Sequence, residues 1–142
     1  MLVYRYLSQE ELNKITTGNI EDIGSEFHKT TFNNHHYKQS NYIHFFKDLS
    51  GLLDIRILYR HYDNDFYFCS FNIPRTKLLF HRGIGYYDPH NYDTDTTNQV
   101  EYALPITNFD PSWLVNAIPD KYRNQPLLVE QLQELFDNQK NM

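Results

Sequence analysis

The spacing of apolar positions changes along the chain, and its period separates strands from helices. Leu2-Val3-Tyr4-Arg5-Tyr6-Leu7 carries β-forming side chains on both faces and predicts a strand. Ser8-Gln9-Glu10-Glu11 has the spacing of a capping box. In that motif the Ser8 hydroxyl accepts from the Glu11 amide and the Glu11 carboxylate reaches back to the Ser8 amide. A short helix is expected over residues 9–16, stopped by Gly18. Tyr42-Ile43-His44-Phe45-Phe46 predicts a second strand. Residues 49–62 carry Leu52, Leu53, Ile55, Ile57, Leu58 and Tyr59 in a pattern that fits helix or strand, with helix favoured. Residues 66–73 predict a strong strand ended by Pro74, and residues 78–80 and 101–106 two more. Asp110 at an N-cap and Pro111 at the first helical position predict a helix through Ala117. Leu127, Leu128, Leu132, Leu135 and Phe136 form a stripe at helical spacing, which predicts a last helix over residues 126–138.

Between these elements lie two polar stretches. Residues 24–40 are irregular, with paired Thr, Asn and His, and residues 88–98 are rich in Asp, Asn and Thr. Both read as loops, and long loops in compact domains are often functional. No repeat and no Pro/Gly/Ser linker divides the chain. Its 142 residues therefore predict one α+β domain over 1–142, able to bury a core without metal or disulfide staples. Aromatic residues make up 16%, which excludes a disordered chain. The 12 Tyr suit either the wall of a polar cleft or a half-buried sheet surface. A net charge of -5 supplies no general basic field for nucleic acid. Cys69 is the only cysteine, which rules out an internal disulfide and fits a reducing compartment. The N-terminus has no basic region followed by a long apolar stretch, and no apolar run approaches the ~20 residues that span a bilayer. The expectation is a soluble cytoplasmic protein with no membrane partner.

Most familiar chemistry finds no footing. His28, His35, His36 and His44 match no zinc spacing, so no metal is expected. The stretch from Asp88 to Asp95 lacks the central glycine and final glutamate of a calcium loop. Gly83-Ile84-Gly85 lacks a third glycine and a strand-to-helix turn, so it is no phosphate fingerprint. There is no serine nucleophile elbow, and Cys69 in mid-strand reads as a packing residue. Three pieces remain. Arg5 inside an aromatic strand needs a partner or a ligand, unless it sits on an edge facing water. Tyr42-Ile43-His44-Phe45-Phe46 is the second. In Gln99-Val100-Glu101, Gln99 and Glu101 share one face of a starting strand, at the end of the loop over 88–98.

In this order the three pieces resemble the ADP-ribosyltransferase superfamily. Members with an Arg-Ser-Glu site place an arginine in the first strand, a second motif in a middle strand and a glutamate at the start of a later strand. Tyr4-Arg5-Tyr6-Leu7-Ser8, Tyr42-Ile43-His44-Phe45-Phe46 and the Gln-x-Glu form Gln99-Val100-Glu101 look like these elements. The second lacks the usual Ser-Thr-Ser, and His44-Phe45-Phe46 is closer to the His-Phe-Thr of some nucleic-acid-modifying relatives. The C-terminal helix lies outside the resemblance.

The resemblance implies a small split β-sheet or sandwich core with flanking helices. It implies NAD-dependent mono-ADP-ribosylation of a protein or nucleic acid, as in a toxin or phage–host effector. NAD would be the substrate. Breaking its nicotinamide–ribose bond builds positive charge on the ribose, as in glycoside hydrolysis, and one fixed carboxylate stabilises that charge. Glu101 would supply it and Gln99 would contact the acceptor. Arg5 would hold the diphosphate, Tyr42 or Tyr86 would clamp nicotinamide, and His44 would bond the ribose or the amide. The alternative is a non-catalytic nucleotide- or protein-binding module of similar fold. A third reading, a nuclease-like protein using the His-rich loop with Lys29, Lys38 and Lys47, is disfavoured by the acidic balance. The transferase requires Arg5, His44 and Glu101 to converge on one cleft. The module requires an apolar cleft without that carboxylate.

Overall fold

β1 (Leu2–Ser8) runs straight into α1 (Gln9–Thr17). Ser8 caps the helix by accepting from the Glu11 amide at 3.2 Å, and Gly18 ends it at a positive φ of 82° that a side chain would strain. In the computed structural model the described residues are 1–19, 42–60, 62–63, 65–82 and 100–140. The expected loops over 24–40 and 88–98, the Gly83-Ile84-Gly85 stretch, Tyr86 and Gln99 lie outside them. After β2 (Tyr42–Phe46) comes α2 (Leu49–Leu58), so the ambiguous apolar segment is helical. β3 (Phe66–Asn72), β4 (Leu79–Arg82) and β5 (Val100–Pro105) follow, then β6 (Leu114–Pro119) and α3 (Val129–Lys140).

The six strands form one sheet in the order β4-β5-β2-β1-β3-β6, and every pairing is antiparallel. The chain is therefore α+β, as its pattern predicts. The expected split sheet or sandwich is not what the described strands build. β5 extends the ladder beyond β2 and β6 extends it beyond β3, so both join the first sheet.

One element differs in type. The helix expected from Asp110 to Ala117 is a single 3-10 turn, Pro111–Trp113, followed by β6. Asp110 does cap that turn, accepting from the Ser112 amide at 2.9 Å. Beyond it, Leu114, Val115 and Ile118 fit a pleated surface, and β3 offers an open edge to pair with. Tertiary pairing overrides the local helix start. The last helix begins at Val129, later than expected. The Leu128 amide just before it donates to Gln131 Oε1 at 2.8 Å.

Side chains alternate across a strand, so the register sorts the core into two halves. Val3 and Leu7 share one face with Ile43, Phe45, Cys69, Phe71 and Leu104, and α1 covers it with Leu12 and Ile15. Tyr6, Phe46, Phe68 and Ile118 share the other, under Leu52 and Ile55 of α2 and Leu132 and Phe136 of α3. Burial on both faces is why β3 reads as a continuous apolar run. α2 lies so close to β2 that a Cβ on Gly51 would stand 2.9 Å from Phe46 Cβ and nearer still to its ring. At the β6 edge, the ladder has a register irregularity between Ser70 and Phe71, and Pro119, which has no N–H to donate, ends the strand. Both features discourage pairing with another chain.

Candidate functional site

The three motif strands are neighbours, in the order β5-β2-β1. Arg5 nevertheless lies inside the core. β1 is a central strand, and Arg5 is 2% exposed. Its Nη1 donates to the His44 carbonyl at 2.8 Å, and its Nη2 pairs with Glu11 Oε2 at 3.1 Å. The Glu11 carboxylate, expected to turn back to the Ser8 amide, is placed by the first turn of α1 directly at this guanidinium.

The register then separates the candidates. Arg5 stands opposite Cys69, in the rows covered by α1. Tyr4 stands opposite Phe46, and Phe46 opposite Glu101, while His44 stands opposite Ala103. His44 thus belongs to the pleat of Tyr4, on the α2 side of the sheet, one residue out of phase with Arg5, and the backbone of Glu101 is in register with Phe46. His44 is itself buried, at 5% exposed. Tyr42 pairs with Pro105 in the ladder. The structure brings β1, β2 and β5 together and places Arg5 and His44 on opposite faces of the sheet.

Cys69 is fully buried beside the Arg5–Glu11 pair. Burial, and secondarily the Glu11 charge, pushes its thiol far above the ordinary 9.0, so the thiolate needed of a nucleophile is suppressed. Among the described residues no group of three or more His, Cys, Asp or Glu could hold a metal ion. No described helix is long and apolar enough to cross a membrane.

A different constellation forms where α2, the end of β6 and α3 meet. Arg56 Nε donates to Asp120 Oδ2 at 2.8 Å, and Nη2 reaches Oδ1 at 3.3 Å. Nη1 donates to the Gln125 carbonyl at 2.7 Å, and Nη2 also reaches the carbonyl of Tyr122. The Tyr6 hydroxyl donates to Asp120 Oδ2 at 2.6 Å. Burial first, then this bond and the carboxylate charge, push the Tyr6 phenol well above its ordinary range. Beside the cluster lies a cavity of about 410 Å³. Its walls include Phe68, Ile118, Leu127 and Leu135, with the amides of Gln131 and Gln139. The volume is in the range of small-ligand pockets, roughly 300–1,000 Å³.

Sequence reasoning passes over Arg56 and Asp120. They lie 64 residues apart, and neither belongs to a motif. The one available signal is that Asp120 follows Pro119, the last residue of β6. Comparison with protein-family models, curated proteins and solved structures finds no match.

Proposed function

We propose that this domain is a non-catalytic binding module whose ligand site is the cavity beside the Arg56–Asp120 pair. The observation that carries the proposal is the burial of Arg5 against Glu11. A phosphate-gripping arginine has to present its N–H groups to solvent, and this one is buried, with one N–H on Glu11 and another on the His44 carbonyl. The cavity has apolar walls, and its arginine already makes four hydrogen bonds, so it is shaped for holding and not for charge-stabilised chemistry.

NAD-dependent ADP-ribosyl transfer is the second reading. What favours it is the contiguity of β1, β2 and β5, which carries Arg5, His44 and Glu101 from distant parts of the sequence into adjacent strands. In that reading Glu101 stabilises the ribose charge, and Arg5 serves the sheet instead of the diphosphate.

One assay separates the two. Wild type and Glu101→Gln are incubated with NAD, and released nicotinamide is measured together with ADP-ribose transfer into a lysate. The module predicts no release from either protein. Release by the wild type that Glu101→Gln abolishes returns the transferase.

A further inference from the structure

We infer that the cavity accepts an uncharged apolar side chain, aliphatic or aromatic, presented by a protein partner. This inference rests on the binding-module reading and names the chemistry of its ligand.

Charge is the first argument. The ionic groups at the cavity are Lys121 at its exposed rim and the Arg56–Asp120 pair. The pair is nearly closed on itself: Arg56 is held by both Asp120 oxygens and by the carbonyls of Tyr122 and Gln125. A nucleotide phosphate or carboxylate entering here would lie beside Asp120, with at most one of the five guanidinium N–H donors to receive it, and a pair with Lys121 at the exposed rim is screened by solvent and adds little. Burying an anion on those terms is unfavourable. A neutral group brings no charge to desolvate, and it gains contact with Phe68, Ile118, Leu127 and Leu135.

The rim gives the second argument. Tyr122 is 65% exposed and Leu135 is 38% exposed, and both line the cavity. Leu128, beside the cavity-lining Leu127, is 63% exposed. A small molecule seated inside would leave this apolar rim in water. A protein that inserts one side chain covers the rim with the residues around it, which is the usual anatomy of an anchored interface. The Gln139 side-chain amide and the Gln131 side-chain NH2 group, whose oxygen accepts from Leu128, line the cavity as neutral polar groups for the partner's backbone.

The test titrates the full chain, labelled with nitrogen-15, and follows its amide spectrum. The probes are N-acetyl-leucinamide, N-acetyl-phenylalaninamide, AMP and a capped pentapeptide of sequence Gly-Gly-Leu-Gly-Gly. The neutral amides are expected to shift the resonances of Gln131, Leu135 and Gln139, saturating on the order of millimolar, as suits so few atoms. AMP is expected to leave them in place. The pentapeptide is expected to bind more tightly than leucinamide and to extend the shifts to Tyr122 and Leu128. Leu135→Arg, at an exposed position, should abolish the shifts while the melting temperature stays the same.

The absence of shifts with both neutral amides overturns the inference, as does tighter binding of AMP. A pentapeptide no tighter than leucinamide overturns the protein partner. None of these outcomes resembles nicotinamide release, which would instead overturn the binding-module reading itself.

Discussion

An arginine in the centre of a sheet has five N–H donors to satisfy and no water to satisfy them. Arg5 directs Nη2 to Glu11 and Nη1 to the His44 carbonyl, both inside the core. Glu11→Ala removes the carboxylate facing a buried cation and should cost about 3–5 kcal/mol in urea unfolding. Adding Arg5→Met should restore much of the loss, since the cost lies in the uncompensated charge. A loss under about 1 kcal/mol would mean that the pair is no more than a surface-type contact. Cys69 next to it makes a prediction about pH. Its folded pKa is raised above 9.0, so its contribution is fully present below that value and is lost as pH rises beyond it. Tyr6 is raised above 10.0 and adds the same sign at higher pH. Stability should therefore fall above pH 9, by about 1.4 kcal/mol per pH unit for each such group. Cys69→Ala should remove the first part of the slope. Unfolding free energies that stay level from pH 8 to 10.5 would contradict this.

At the scale of elements, α2 shows how a helix is placed by the strand before it. Gly51 leaves room for Phe46, whose atoms stand where a Cβ would go. In an exposed helix Gly→Ala stabilises by up to about 1 kcal/mol. Here Gly51→Ala should destabilise by about 1–3 kcal/mol, because the helix must lift off the sheet. Phe46→Leu in the same chain should shrink that penalty, and the non-additivity of the pair measures the contact. The segment after Asp110 shows the opposite balance. Its cap and proline are obeyed for one 3-10 turn, and the open edge of β3 then recruits Leu114–Pro119 as a strand.

At the scale of the molecule, the Arg56–Asp120 pair ties the end of α2 to the segment that leads into α3. α3 in turn closes one face of the sheet with Leu132 and Phe136. Arg56→Met should cost about 3–5 kcal/mol, since it leaves the Asp120 carboxylate without its guanidinium. It should also raise amide exchange in α3 relative to β1 and β3, because the strap that holds the helix is cut. Equal loss of protection in α3 and the central strands would show that the pair stabilises the whole fold and not this strap.

The elements legible in the chain are those written in local terms. Period, caps and breakers act within about one turn or a few strand residues. They placed β1, α1, β2 and β3 to within a residue or two. They also marked Arg5 as a residue that needs a partner or a ligand unless it faces water from an edge, and left open which. Three things required the tertiary structure. Antiparallel register decided that Arg5 falls out of phase with His44, and a one-residue slip would reverse that outcome. Strand order left the β3 edge open, which made β6 a strand. Chain closure brought Arg56 to Asp120 and shaped the cavity beside them. Each depends on which distant segments meet, and no periodicity within one segment encodes its partner. The residue types and their alternation are therefore a property of the sequence alone, while the face each one serves and the surface it reaches are decided by pairing.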